Sequence, residues 1–179
     1  MGFDLYGENP KTDTPEPRVD WDNPDPKAKE EYFKWKDGTK GAYFRNNVWW
    51  WRPLWEYVVM QNGKTITDEE RERGCYNDGY VIKADKAMRI GIKLKHLISQ
   101  GHTKQWAEDR QKELDEMPKE KCELCHGTGK RNDEIVKGKC NACNGEGKKD
   151  PWEKSYPFSV ENVAEFAQFC IESGGFSIC

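Results

Sequence analysis

The sequence predicts an α+β fold: a small aromatic sheet, about three main helices and an inserted module held by four cysteines. Three observations predict it. Aromatic and β-branched residues alternate in short segments, and apolar residues elsewhere recur at three- and four-residue steps. In addition, two close cysteine pairs stand in a polar stretch too short and too charged to build its own core.

The two ends alternate like short strands. Gly2-Phe3-Asp4-Leu5-Tyr6 and Gly175-Phe176-Ser177-Ile178-Cys179 are expected to pair in one sheet. Residues 8–30 hold five prolines (Pro10, Pro15, Pro17, Pro24 and Pro26) among Asp, Glu and Lys, which reads as an exposed loop. Residues 41–52 are rich in strand-favouring aromatics. As a strand they place Tyr43, Arg45, Asn47, Trp49 and Trp51 on one face, and Phe44, Asn46, Val48 and Trp50 on the other. Pro53 then stops the strand and opens a helix over 54–61, which Asn62-Gly63 ends.

Thr67 and Glu70 form a capping-box pattern that starts a short charged helix closed by Gly74. Ala84, Ala87, Met88, Gly91, Leu94, Leu97 and Ile98 mark the strongest helix, with Gly101 after it. A further helix runs from about Thr103 to Met117, stopped by Pro118. Ser159 caps a last helix carrying Val160, Val163, Ala164, Ala167, Cys170 and Ile171, closed by Gly174-Gly175. The expected organisation is a main α+β domain over 1–118 and 151–179, with an insertion over 119–150.

That insertion holds two copies of Cys-x-x-Cys-x-Gly-x-Gly: Cys122-Glu123-Leu124-Cys125-His126-Gly127-Thr128-Gly129 and Cys140-Asn141-Ala142-Cys143-Asn144-Gly145-Glu146-Gly147. Two thiolate pairs at this spacing match a tetrahedral Cys₄ zinc site. Gly127, Gly129, Gly145 and Gly147 let the chain turn tightly after each pair and aim backbone N–H groups at the sulfurs. The expected cofactor is one structural Zn²⁺ on Cys122, Cys125, Cys140 and Cys143. With sulfur at all four positions the metal is a staple, not a hydrolytic centre. His126, next to a ligand, is a weaker alternative donor.

Composition narrows the function. Hydrophobic residues make up 35% and charged residues 34%, and the mean hydropathy is -1.04, so much of the burial must come from 8 Trp, 7 Tyr and 7 Phe. The formal charge of -3 moves to about -5 with a zinc tetrathiolate, which disfavours generic polyanion binding by the chain as a whole. The first residues show neither a basic n-region nor an apolar h-region, and no apolar run approaches the ~18 residues needed to cross a bilayer. A reducing cytoplasm is the expected compartment, where paired cysteines bind metal more often than they form disulfides.

The repeated motif resembles the cysteine-rich zinc region of DnaJ-type co-chaperones. Those proteins usually carry four such repeats and two zinc ions; here there are two repeats, implying one ion. No His-Pro-Asp occurs, so the resemblance does not extend to a J-domain. The two-repeat arrangement is similar to the small regulator anti-TRAP, where the module serves protein contact. Met1-Gly2-Phe3-Asp4-Leu5-Tyr6-Gly7, the segment 43–54 and Ser173-Gly174-Gly175-Phe176 resemble an uncharacterised bacteriophage protein family, which implies a phage origin and a host cytoplasm but no activity.

These readings favour a non-enzymatic accessory protein that contacts another macromolecule, a protein first, through the module. Residues 119–149 carry eight Lys/Arg against five Asp/Glu; the tetrathiolate leaves about +1, weak for phosphate binding, with Lys130-Arg131 and Lys148-Lys149 as a small patch. The alternative is a nucleotide or single-stranded nucleic-acid binder in which Trp49, Trp50 and Trp51 stack bases while Arg45 and Arg52 meet phosphate. Three consecutive tryptophans cannot all point inward from a strand, so at least one is expected at the surface or against another element. Among the other cysteines, Cys75 lies in a turn-rich stretch and is a remote nucleophile candidate, Cys170 reads as core, and Cys179 has no assigned role.

Overall fold

A computed structural model describes residues 2–179; Met1, the first residue of the segment 1–7 discussed above, lies outside the described residues. The fold is mixed α and β, with six α-helices and a four-stranded antiparallel sheet. Chain contacts divide it into two units. One takes the residues up to Ala107 together with Phe158–Cys179; the other is Glu108–Pro157, which contains the cysteine module.

In the first unit, β1 (Gly2–Gly7) is central. It pairs with β2 (Tyr43–Asn47) and with β8 (Gly175–Ile178), and β8 pairs with β3 (Tyr80–Lys83), giving the order β2-β1-β8-β3. The two chain ends therefore do share one sheet. Leu5 stands opposite Phe44 on one side and Ile178 on the other, and Ile82 opposite Phe176. All five are buried, so the pleat puts one apolar face onto the helices.

Two helices cover that face closely. In α4 (Ala84–Ser99) the stripe Ala87, Ile90, Gly91, Leu94 and Leu97 is buried against α6 (Val160–Glu172), whose Ser159 accepts the Asn162 N–H as a cap. A Cβ on Gly91 would stand 2.6 Å from the Ala167 carbonyl oxygen and 3.1 Å from the Cys170 Cβ, so only glycine permits this approach. Short α3 (Asp68–Arg73) has the expected capping box, with Thr67 and Glu70 exchanging bonds. α5 (His102–Glu116) begins beside Tyr57, whose hydroxyl bonds Thr103 Oγ1 at 2.9 Å.

The central aromatic segment differs from its sequence reading. The strand ends at Asn47, and α2 (Val48–Gln61) begins at once with Pro53 inside it. The cause is local: the Asn47 side chain accepts the N–H groups of both Trp49 and Trp50, an N-cap that outweighs the strand preference of the aromatics. Helical spacing then places Trp51 and Trp55 one turn apart on the buried side, stacked with centroids 5.4 Å apart. Trp51 also stacks on Phe3 at 5.3 Å and meets the edge of Phe166 at 5.7 Å. The aromatics of the sheet are accordingly Phe and Tyr, while Trp49, Trp50, Trp51 and Trp55 belong to a helix.

The proline-rich segment is shorter than expected. Asp25 accepts the Lys27 N–H and Pro26 takes the first turn of α1 (Pro26–Gly38), which buries none of its residues. Its aromatic residues Tyr32 and Phe33 cluster instead with Trp21 outside the helix. Among the described residues, no helix is long and apolar enough to cross a membrane.

Candidate metal centre

The module is built from two short ladders. β4 (Glu120–Lys121) pairs with β7 (Lys148–Lys149), and β5 (Lys130–Asn132) with β6 (Lys137–Lys139). Each cysteine pair sits on a turn leaving one of these ladders, and the two repeats bond to each other reciprocally. The Cys122 N–H donates to the Gly147 carbonyl at 2.9 Å, and the Cys140 N–H donates to the Gly129 carbonyl at 2.9 Å.

Within each repeat the same bonds recur. Gly127 N–H donates to the Cys122 carbonyl and Gly145 N–H to that of Cys140, which folds the chain back over its own cysteines. His126 and Asn144 take positive φ at the matching positions, and Gly127, Gly129, Gly145 and Gly147 all lie in the left-handed region. A Cβ on Gly129 or Gly147 would strike a carbonyl of the opposite repeat, at 2.2 Å and 2.3 Å.

These turns bring four sulfurs together. Cys122, Cys125, Cys140 and Cys143 are all buried, none is in a disulfide, and their Sγ atoms lie within 4.8 Å of one another. Cys122 and Cys140 are 4.0 Å apart, Cys125 and Cys143 3.7 Å. A tetrahedral thiolate site with metal–sulfur bonds of about 2.3 Å has sulfurs about 3.8 Å apart, close to these two distances, so the cluster could hold a metal ion. Gly129 and Gly147 each donate an N–H to a sulfur, Cys125 and Cys143 respectively, at 3.3 Å. Such bonds fix the ligand and spread its charge.

The electrostatics favour a cation at the centre. Burial opposes ionisation of Cys125, but the Gly129 N–H and the thiols of Cys122 and Cys143 outweigh it and push Cys125 down to about 6. Burial and the neighbouring sulfurs push Cys143 up to about 11 against the Gly147 N–H. Four close thiols cannot all ionise alone; a divalent cation among them favours all four thiolates. His126 is exposed and stands outside the cluster.

No family model, curated protein or solved structure matches the chain.

The segment 43–55 does not form one aromatic surface. Arg45, on β2, pairs with Asp4 at 3.5 Å. Trp49 is exposed, Trp50 half-buried and Trp51 fully buried, with its Nε1–H donated to the Gly74 carbonyl at 2.8 Å. Arg52 and one edge of Trp51 line a groove of about 700 Å³ together with Trp55, Glu56, Met60, Arg71 and Cys75. That groove joins two regions the sequence left separate, the tryptophan segment and the Cys75 turn. It exists because the Trp55 ring lies against Gly74, where a Cβ would come within 2.0 Å of the indole. Cys75 is exposed, Cys170 is buried on α6, and Cys179 follows β8, its N–H donated to Asp4. Burial raises the Cys75 thiol, only partly opposed by the Arg52 charge, which leaves less thiolate at neutral pH.

Proposed function

We propose that the chain is a non-enzymatic zinc-binding accessory protein that contacts another macromolecule through its cysteine module. The observation that carries this is the four-thiol cluster: buried, free of disulfides and with all four sulfurs within 4.8 Å of one another. Soft thiolate donors select zinc over the hard divalent cations, and four of them leave no position for a substrate. The ion then stabilises a segment whose strands are two or three residues long. A contact role is supported by Leu124, 59% exposed between two ligands, and Ile135, 85% exposed on the connecting turn. The resemblance to two-repeat DnaJ-type modules and to phage proteins agrees with an adaptor working in a host cytoplasm.

The test is metal content of the purified chain. One zinc per chain is expected, and Co²⁺ in its place should give the intense visible and charge-transfer bands of a tetrahedral thiolate site. A Cys140→Ser/Cys143→Ser variant should hold none. A metal-free wild type, or a variant that keeps its zinc, would overturn the reading.

The groove beside Arg52 supports a second reading, a nucleotide site in which indole edges meet the base and the guanidinium meets phosphate. Nucleotide titration followed by tryptophan fluorescence should then show quenching that Arg52→Ala abolishes. No response across a nucleotide panel would remove it.

A further inference from the structure

The strand register sorts the charges of the module in a way their count conceals. The ten residues of its four strands include seven Lys or Arg and one acid, Glu120. Lys121 stands directly opposite Lys148 on one ladder, and Lys130 directly opposite Lys139 on the other. Residues directly opposed share a face, and successive residues alternate. Glu120 therefore shares the reverse face of its ladder with Lys149. On the second ladder Lys137, opposite Asn132, joins the face of Lys130 and Lys139, while Arg131 faces the other way. One face of each ladder thus carries lysines and no acid from its own strands, with Asn132 the one neutral side chain and Glu123 beside Lys121.

Like charges placed opposite each other destabilise a ladder, so their presence twice, at matching positions of the two repeats, calls for a cause. The tetrathiolate zinc supplies about two negative charges, which cannot balance five lysines. None of Lys121, Lys130, Lys137, Lys139 and Lys148 is in an ion pair among the described residues, whereas Lys119 pairs with Glu146 and Arg131 with Asp133. The stems of Lys121 and Lys139 lie over Gly127 and Gly145, which fixes where these chains leave the turn.

We propose that these five lysines form a phosphate-binding surface for the backbone of a nucleic acid. The proposal rests on the reading of the module as the macromolecular contact and names the partner class. Lysine is a compact point charge that accepts a phosphate from many directions, whereas paired recognition of carboxylates favours the arginine fork. The one arginine of the ladders, Arg131, is already held by Asp133 and Asn141. A phosphate between opposed lysines also relieves the repulsion that the free module carries.

The test uses the full zinc-loaded chain and fluorescence anisotropy with labelled duplex and single-stranded DNA across a salt series. Neutralising about five phosphates gives a log–log salt slope near -4.5 on duplex and -3.5 on a single strand, which tells the two forms apart. Lys130→Gln/Lys139→Gln and Lys121→Gln/Lys148→Gln should each weaken binding at least ~10-fold at low salt and flatten the slope by about 2. Lys137→Gln, which covers no glycine turn, should flatten it by about 1. Zinc content is measured on every preparation. A zinc-loaded chain that binds neither DNA, or whose slope the variants leave unchanged, overturns the phosphate surface alone; a chain without zinc overturns the metal reading as well. Equal competition by polyglutamate overturns the proposal in favour of an acidic protein partner.

Discussion

Gly129 and Gly145 interlock across the two cysteine repeats: a Cβ on Gly129 would stand 2.2 Å from the Gly145 carbonyl oxygen. The obstacle is backbone, which cannot step aside as a side chain can. Gly129 also has φ +72, a conformation costing an L-residue about 1–2 kcal/mol. Gly129→Ala should therefore separate the repeats and lower zinc affinity more than tenfold, read by competition with a chromogenic chelator. Gly127→Ala meets mainly the flexible Lys121 stem, at 3.1 Å and beyond, and should cost only the φ penalty. Equal losses in the two variants would show that the interlock carries no weight.

Trp51 and Trp49, two residues apart, should respond very differently to replacement. Trp51 is fully buried between Phe3, Trp55 and Phe166 and donates its indole N–H to Gly74. Trp51→Ala should destabilise the unit by about 3–5 kcal/mol, from lost burial and a large cavity. Trp49 is 42% exposed at the start of α2, and Trp49→Ala should cost less than about 1 kcal/mol. Denaturant midpoints with unchanged slope provide the measurement. Comparable losses would mean that the aromatic segment shares its burial more evenly than the fold describes.

Much of this was legible because it is encoded over a few residues. The Thr67–Glu70 box, the Ser159 cap and the α4 stripe state their elements locally, and the cysteine spacing states its cluster. The pairing of β1 with β8 could be read because both ends alternate in a chain with few other strands. The start of α2 could not, because one capping side chain, Asn47, decides between helix and strand for residues whose intrinsic preference points the other way. In α1 the Asp25-Pro26 signal is present, but its stripe of Ala28, Tyr32 and Trp35 is short and only half-buried among charged residues. The groove depends on Trp55 resting against Gly74 across α2 and α3, and the opposed lysines depend on register. Neither relationship exists until the chain is folded.

Glu70 gives the first unit an acid-sensitive contact. Burial raises its carboxyl, but hydrogen bonds from Lys86 and Thr67 outweigh this and hold it below its ordinary value of 4.5. Lys86 Nζ lies 2.6 Å and 2.7 Å from its two oxygens. A carboxyl whose folded pKa is depressed stabilises the fold above the unfolded value and loses that contribution as pH falls through the folded one. Stability should therefore decline below about pH 4.5 in the wild type. Glu70→Gln should cost about 1–3 kcal/mol at neutral pH and show a smaller further loss on acidification. Urea unfolding of both chains at neutral and acidic pH decides it; parallel pH dependences would remove Glu70 from the account.

Cys75 should be a slow thiol despite its exposure. Its Sγ lies 3.6 Å from the Arg71 carbonyl oxygen, which accepts from the protonated form and repels the thiolate. Burial raises its pKa, Arg52 lowers it less, and Glu72 adds to the rise. A raised thiol pKa leaves less thiolate at neutral pH, and the thiolate is the reacting species. Alkylation of Cys75 at pH 7 should be several-fold slower than that of a free cysteine peptide, with the rate still climbing at pH values where the peptide has levelled off. Arg52→Ala removes a nearby charge that favours the thiolate and should slow the reaction further. A Cys75 that outpaces the peptide at neutral pH would reverse the assignment and make the groove a candidate for thiol chemistry.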